Sequence, residues 1–593
     1  MRLATFGVCV ALVCPVFAAD LVFLPEHLRP DPFGQVVSRD RTGPINRSRL
    51  FTIRAARGGY ASAHLALVTD RPTQYQINVE LGDRSGKLKL DVFREWFHFT
   101  DFDKNYYPDA LVPLKTPADG AIPDPDNRVP KQTAAGFWVD VWIPPDAKPG
   151  HYNVRASVRA SGHRGLSATL DIEVRDLVIP PEDAITIDHN SYGGSFIADQ
   201  YPKLAAKHGN RFFQSDDYFA LIHAYHRMFY EHRGVFHQLG YGHGGKVAPE
   251  FAPALTGSGK TRRIADWKLF DRHYGPLLDG TAFKSARRGQ RPIPYVYLPI
   301  NPEWPAQFLW WGEPGYETEF VNVVGEMEKH FREKGWTSTR FEMFFNHKKR
   351  YKAFPFDGDE IRFGEDNSYL KEYARLLKAA VPPDSPVKFI FRSDSSWSME
   401  QQFRELAGVV KMWVLGSGML SWQRANARML RARGDVVWHY AGPAPVTQPA
   451  VSVTKYPLRT WIWNVDGYVH WLTVNPGADP WYNFDGGGTA LVYSGERFNL
   501  EGPIPSVRLK FQRNALQDIA LLESIRRPRA EVAKAYNDTS VDEWWNVRPR
   551  AADLDPREMT NPDLDEAAKP ADNLLNQVEP DGWTKVRKLI WER

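Results

Sequence analysis

The sequence predicts a multidomain protein with an N-terminal all-β sandwich, a (β/α)8 barrel and a C-terminal segment of helix and extended chain that packs on the barrel. Short alternating apolar and polar segments without helices predict the sandwich over residues 20–181. Eight apolar runs that alternate with helical patterns predict the barrel over residues 182–495. The length of 593 residues accommodates both domains, and it leaves residues 496–593 for the C-terminal segment.

The N-terminus is typical of a secretory signal peptide. Met1-Arg2 is a short positive end, the stretch from Leu3 to Phe17 is almost wholly apolar, and Val16-Phe17-Ala18 offers small residues for cleavage. We therefore expect residues 1–19 to be removed and the mature protein to be exported to the periplasm or the medium. Both cysteines are lost with this segment, so we expect no disulfide, no thiol nucleophile and no thiolate metal site.

The sandwich is predicted from five period-2 segments and one turn. The turn is the Pro- and Gly-rich stretch from Pro144 to Gly150, which joins two strands, and Pro180-Pro181 marks the end of the domain. The five strand candidates are Leu50–Ala55, Tyr75–Leu81, Phe137–Ile143, His151–Ala160 and Ala168–Val174.

The barrel is predicted from eight strand candidates with helices between many of them. The clearest helical patterns are Glu317–Lys334, Asn367–Ala380 and Met419–Arg433, and residues 243–266 are predicted as a long loop over the barrel mouth. The strand candidates are Ile185–Asp188, Val235–Leu239, Ile293–Ile300, Phe341–Phe345, Val387–Phe391, Met412–Leu415, Val436–Tyr440 and Gly467–Leu472. After the barrel, Ser506 is expected to cap a helix that packs back on it, and an extended wrap follows from Tyr536.

Composition excludes several classes of function. A net charge of +4, from 75 basic and 71 acidic residues, argues against a nucleic-acid binder, and no apolar run after the leader is long enough to span a membrane. Thr256–Thr261 ends like a phosphate-binding loop, but Ala254 stands where its first glycine is needed. The histidines at 223, 226, 232, 237 and 243 lack an HExxH arrangement, so we expect no metal site. We also expect no organic cofactor.

Reactive residues of such barrels follow the C-terminal ends of strands, and this rule singles out the region after the fourth strand candidate. It contains Asn346, Lys348 and the adjacent carboxyls Asp359 and Glu360. From spacing alone, a solvated acidic turn is the commoner explanation of the pair. The chemical interpretation is a general acid beside a carboxylate that holds a neighbouring group. Adjacent side chains point oppositely in a strand, so the pair must lie on a bent segment.

A resemblance to a known family rests on the following stretches: Phe137–Tyr152, the Asp359-Glu360 pair, Trp461–Trp471, Gly502–Leu509 and Arg513–Asp518. They resemble glycoside hydrolase family 123, whose known members are exo-acting β-N-acetylgalactosaminidases. Ala515 stands where the family usually has Gly, Ile361 stands where it usually has Pro, and a long loop separates the acidic pair from its strand.

The resemblance implies a retaining mechanism in which the substrate's own 2-acetamido group is the nucleophile. Asp359 would orient the acetamide N–H as an oxazolinium forms, and Glu360 would protonate the leaving oxygen and then activate water. The substrate would be a glycan that ends in β-linked N-acetylhexosamine. Further candidates for substrate binding at strand ends are Asn346, Lys348, Arg392, Tyr440 and Trp471.

Two other functions stay open from the sequence. One is a glycosidase for a sugar without the acetamide, with Glu360 as acid and a second carboxylate such as Asp394 as nucleophile or base. The other is a non-catalytic glycan-binding protein on the same scaffold. Of the other strand-end residues, His439 ends the seventh strand candidate, and Trp304, Trp310 and Trp311 are candidates for an outer sugar platform.

Overall fold

The protein has two domains that pack against each other, an all-β sandwich and an α/β barrel. The computed structural model describes residues 19–40, 48–83, 85–163, 165–301, 303–306, 315–351, 354–361, 364–395, 400–422, 424–442, 444–477, 479–484, 490–536 and 580–592. Residues 1–18 of the expected signal peptide, Trp310, Trp311 and most of the expected C-terminal wrap lie outside these ranges. Within them, no helix is both long enough and apolar enough to cross a membrane.

The N-terminal domain is a β-sandwich, as predicted. Its two five-stranded sheets have the strand orders β1-β3-β8-β5-β6 and β2-β10-β9-β4-β7, and inward-facing apolar side chains from both sheets form its core. The strands are β1 Ala19–Pro25, β2 Leu50–Arg57, β3 Gly59–Thr69, β4 Thr73–Gly82, β5 Lys89–Thr100, β6 Asn105–Pro113, β7 Ala118–Ile122, β8 Ala134–Ile143, β9 Gly150–Ala160 and β10 Leu166–Val178.

The second domain contains an eight-stranded parallel sheet that is nearly closed into a barrel. The strand order is β12-β11-β20-β19-β18-β17-β16-β15, and the edge strands β12 and β15 approach each other. All eight predicted strands are present: β11 Thr186–Tyr192, β12 Val235–Leu239, β15 Tyr295–Tyr297, β16 Arg340–Met343, β17 Lys388–Ser395, β18 Met412–Gly416, β19 Val436–Ala441 and β20 Gly467–His470. This confirms the barrel as the core of the second domain.

Helices surround the barrel, and the expected loop over 243–266 instead contains a short hairpin of β13 Ala254–Thr256 and β14 Arg263–Asp266. A second hairpin joins β21 Val492–Tyr493 to β22 Ile504–Pro505. The helices are α1 Ser195–Gln200, α2 Pro202–His208, α3 Asp216–Glu231, α4 Lys268–Leu278, α5 Tyr316–Glu333, α6 Asp366–Ala380, α7 Glu400–Glu405, α8 Ser417–Trp422, α9 Arg424–Ala432, α10 Lys455–Ile462, α11 Val507–Ser524, α12 Arg529–Tyr536 and α13 Pro580–Trp591.

Helix α11 begins at the predicted cap, where the Ser506 hydroxyl accepts a hydrogen bond from the Leu509 N–H at 3.0 Å. The sequence predicted packing on the barrel, and the helix in fact packs on the sandwich as well. Arg508 binds Asp109 of β6, with 2.8 Å between Nη2 and Oδ2. Lys510 and Arg513 both bind Asp140 of β8, at 2.6 and 2.9 Å. All five of these side chains are buried, so α11 joins the two domains through buried ion pairs.

Candidate active site

The acidic pair lies beside the C-terminal end of β16, although eleven residues, 348–358, separate it in sequence from His347. The chain leaves at His347, makes an excursion over residues 348–357 and returns beside its starting point. There the His347 carbonyl accepts hydrogen bonds from the N–H groups of Gly358 and Asp359, at 3.0 and 3.3 Å. A Cβ at position 358 would lie 2.5 Å from that of Phe345, so the close return requires glycine.

Asp359 is buried and receives two contacts on one oxygen. Its Oδ2 lies 3.1 Å from Lys348 Nζ and 3.2 Å from His243 Nε2. Among the described residues, none donates a hydrogen bond to Oδ1. The protein therefore holds Oδ2, while Oδ1 can accept a hydrogen bond from a ligand.

Glu360 contacts the same lysine, and a backbone reversal makes this possible. Its φ of 53° is in the left-handed region, where a residue other than glycine is strained. The reversal brings two adjacent side chains to one ammonium group, which a regular strand would prevent. Oε2 lies 2.5 Å from Lys348 Nζ, and Oε1 accepts a hydrogen bond of 2.5 Å from the Tyr440 hydroxyl.

The Lys348 ammonium balances both carboxylates. Burial lowers the pKa of Lys348, but the charges of Asp359 and Glu360 outweigh this effect, and the pKa lies above its usual value. The lysine is therefore charged, and its ammonium lies between the two carboxylates. Lys348 and Tyr440, which the sequence predicts among the sugar contacts, bind the acidic pair directly.

Ile361 occupies the position after the pair, and its backbone has a role that proline could not fill. Its N–H donates a hydrogen bond of 3.3 Å to the carbonyl of Asp394, at the end of the neighbouring strand β17. Its side chain is fully buried in the apolar cluster between the barrel and its helices. The residue thus anchors the acidic pair to the next strand.

Arg392 and Asp394 form a buried ion pair beneath the site. Arg392 Nε and Nη2 bind the two oxygens of Asp394 at 2.7 and 2.9 Å, and Nη1 binds Tyr297 and Glu342. Burial first, and the charge of Asp359 to a lesser extent, raise the pKa of Asp394 to about 7 against the opposing effect of Arg392. Arg392 thus binds protein groups through Nε, Nη1 and Nη2. Asp394 could act as a nucleophile only if this ion pair opened.

Trp471 is connected to Asp359 through Tyr192 and His243, two residues that the sequence did not single out for this site. Asn346 is buried, and no described residue accepts a hydrogen bond from its Nδ2. The half-buried Trp471 ring meets Tyr192 edge-on, with 5.1 Å between ring centroids. Tyr192 and His243 follow the first and second predicted barrel strands by four residues each, which is the signal that could have found them.

The remaining strand-end candidates lie in the protein interior or beside it. Trp304 is half-buried and packs against the apolar cluster of the barrel domain. His439 is fully buried, and its ring nitrogens contact the hydroxyls of Ser417 and Thr460, both at 2.8 Å.

Among the described residues, no three His, Cys, Asp or Glu side chains converge as a metal site requires.

The pH dependence of stability should show that His439 is neutral in the folded protein. Burial first, and Arg459 second, lower its pKa to about 3, so the folded protein keeps it neutral while the unfolded chain binds a proton near pH 6.5. Its contribution to stability is therefore present above pH 6.5 and is lost as the pH falls. In His439→Gln, the free energy of unfolding measured in urea should fall less steeply with acidification, by about 1.4 kcal/mol per pH unit between pH 6 and 4. The exposed His151→Gln is the control, and an equal change in both would contradict the assignment.

Comparison with known proteins supports the architecture. No protein-family model and no curated protein matches the sequence. Among solved structures, a family 123 glycoside hydrolase from Clostridium perfringens, analysed for glycolipid glycan hydrolysis, is similar with a TM-score of 0.62 at 14% identity. The match covers 97% of this chain and 99% of that one.

Two other solved structures are similar at TM-scores too low to support an argument. A family 39 glycoside hydrolase from Bacteroides cellulosilyticus WH2 matches at 0.34 and 9% identity, over 74% of this chain and 80% of its own. A family 5 xyloglucanase from Bacteroides ovatus matches at 0.31 and 9% identity, over 80% of this chain and 99% of its own. The fold of this chain is therefore similar over almost its whole length to that of the family 123 glycoside hydrolase, which agrees with the resemblance found in the sequence.

Proposed function

We propose that this protein is an exported, exo-acting glycoside hydrolase that removes a terminal β-linked N-acetylhexosamine, most of all N-acetylgalactosamine, with retention of configuration. One observation carries the proposal. Asp359 and Glu360 converge on Lys348 at the C-terminal end of the barrel, and Oδ1 of Asp359 is left to accept a hydrogen bond. Substrate-assisted hydrolysis of 2-acetamido sugars needs such a carboxylate beside a general acid.

In the first step, the acetamide N–H donates to Asp359 while its carbonyl oxygen attacks the anomeric carbon. The glycosidic C–O bond breaks, and Glu360 gives its proton to the leaving oxygen. In the free protein Lys348 Nζ lies 2.5 Å from Oε2 of Glu360, so the leaving oxygen must take the place of this ammonium to receive a proton from Oε2. The ionised form is the one required next, when Glu360 takes a proton from the water that opens the oxazolinium.

The surrounding residues suit a sugar of this kind. Trp471 and Tyr192 offer half-buried aromatic surface on which the apolar face of a pyranose ring can pack. Asn346 offers a buried amide donor without a partner among the described residues. A sugar hydroxyl or the acetamide oxygen would satisfy that donor.

The test is hydrolysis of aryl β-glycosides by the mature protein, with N-acetylgalactosaminide, N-acetylglucosaminide and plain hexoside forms side by side. We expect turnover only of the 2-acetamido sugars. Hydrolysis of the plain hexosides would exclude the substrate-assisted mechanism and favour a second carboxylate such as Asp394. If no glycoside is hydrolysed but a glycan containing N-acetylhexosamine binds in calorimetry, the protein is a binding protein on this scaffold.

A further inference from the structure

The excursion that precedes the acidic pair is strongly basic. Its sequence begins Lys348-Lys349-Arg350-Tyr351-Lys352, and positions 348–351 are described by the structure. Lys348 binds the acidic pair, and Lys349 Nζ lies 3.1 Å from Asp366 Oδ1. Arg350 is exposed, and in the described part of the chain no carboxylate lies within 4 Å of its guanidinium. One positive charge of this excursion is therefore available to a group from outside the protein.

Arg350 is connected to the acidic pair through two aromatic contacts. Its Cζ lies 5.1 Å from the centroid of the Tyr351 ring. That ring stacks on His243, with 4.9 Å between centroids and 22° between planes. His243 in turn contacts Asp359, so the exposed ring and the guanidinium both stand at the rim of the proposed active site.

Tyr351 is unusual among the large side chains of the protein, because 55% of its surface is exposed. An exposed aromatic ring beside a sugar site can stack on the apolar face of a second sugar. The ring also limits the positions of Arg350 through a cation–π contact. A planar guanidinium held in this way matches the geometry of a carboxylate or a sulfate, with two parallel hydrogen bonds.

We propose that Tyr351 and Arg350 form a subsite for the sugar that carries the leaving oxygen, and that this sugar bears an anionic group, either a carboxylate or a sulfate ester. The inference rests on the proposed function and adds the class of substrate. In this arrangement the terminal N-acetylhexosamine occupies the pocket around Asp359 and Glu360. The next ring packs on Tyr351 and places its charge against Arg350.

The experiment compares three disaccharides in which N-acetylgalactosamine is β-linked to glucuronic acid, to glucose or to glucose 6-sulfate. The first two differ only in the carboxylate, and the third distinguishes a sulfate from a uronate. We expect kcat/KM for one anionic disaccharide to exceed that for the glucose disaccharide by about 5- to 30-fold at low salt. The preference should shrink when the ionic strength is raised from about 0.02 to 0.5 M, since salt screens an exposed charge.

Two variants assign the preference to the subsite. Arg350→Gln should reduce the preference for the anionic disaccharide to about twofold or less, with little change in kcat/KM for the glucose disaccharide. Tyr351→Ala should raise KM for all three disaccharides more than for the methyl glycoside, which has no second ring. Arg155→Gln, at an exposed position of β9 in the sandwich, is the matched control for loss of one positive charge and should leave the preference intact.

The outcomes separate this inference from the proposed function. If the aryl 2-acetamido glycosides are not hydrolysed, the proposed function fails and the subsite fails with it. If they are hydrolysed but the glucose disaccharide is cleaved as well as the anionic ones, or if no disaccharide is cleaved, the proposed function stands and the anionic subsite is wrong. Equal effects of Arg350→Gln on neutral and anionic substrates would also overturn it.

Discussion

Glu360→Gln should lower kcat/KM for a β-N-acetylgalactosaminide with an unactivated leaving group by about 10³-fold, within the range observed for loss of a general acid. The amide cannot protonate the leaving oxygen, and it cannot take a proton from water in the second step. A 2,4-dinitrophenyl leaving group departs without protonation, so the loss with that substrate should be much smaller. The measurement is the dependence of kcat/KM on leaving-group pKa, which should become steeper in the variant.

The matched control for this prediction is Glu365→Gln, five residues along the chain at an exposed position before α6. It removes the same charge from the same region, and we expect activity within about twofold of the unaltered protein. If Glu360→Gln keeps its activity on an alkyl or sugar leaving group, Glu360 is not the acid. The acid would then have to be sought among the other carboxyls at the barrel mouth.

Asp140→Asn should be the most destabilising of the single changes considered for the interior. The carboxylate accepts hydrogen bonds from Lys510 and Arg513, and neighbouring cations hold its pKa well below the usual range in spite of burial. The amide leaves both cations buried beside a neutral group, and breaking a buried pair in this way costs about 3–5 kcal/mol. The measurement is the free energy of unfolding in urea at pH 7.

The cost should decrease as the pH rises towards about 8, the pKa of Lys510 in the unaltered protein, and should stay constant above it. Burial lowers the pKa of Lys510 to about 8 even with Asp140 present, and without that carboxylate the pKa falls further, so the lysine can lose its proton instead of remaining unpaired. Asp119→Asn, at an exposed position of β7 with one hydrogen bond to Gln76, is the control and should cost less than about 1 kcal/mol. Equal losses in the two variants would show that the buried ion pairs do not hold the domains together.

The sequence predicted all eight barrel strands because buried parallel strands are short apolar runs between loops. It predicted their ends less well. The strand β11 was expected to stop at Asp188 and β17 at Phe391, but both continue through polar residues. Those residues face a charged network inside the barrel, such as the pair of Arg392 and Asp394, and a search for apolar runs cannot detect polar groups that are paired in three dimensions.

The sequence predicted the two carboxyls of the candidate site. It did not predict the backbone conformation and the contacts that bring them together. The position of Asp359 and Glu360 after a strand pointed to them, and family resemblance assigned their roles. The sequence does not predict the left-handed backbone of Glu360, since glycine is the residue type that indicates such a conformation. The convergence of Lys348 on both carboxylates depends on where a ten-residue excursion returns, and loop closure cannot be derived from local pattern.

The ion pairs between the sandwich and α11 have a consequence for the order of synthesis. A ribosome completes the sandwich first, with Asp109 and Asp140 already in its strands, but their partners Arg508, Lys510 and Arg513 emerge more than 360 residues later. Until then the nascent domain carries two carboxylates meant for burial without their cations. The sandwich therefore cannot complete its buried ion pairs until α11 has been synthesised. A chain truncated before α11 would remain sensitive to proteolysis.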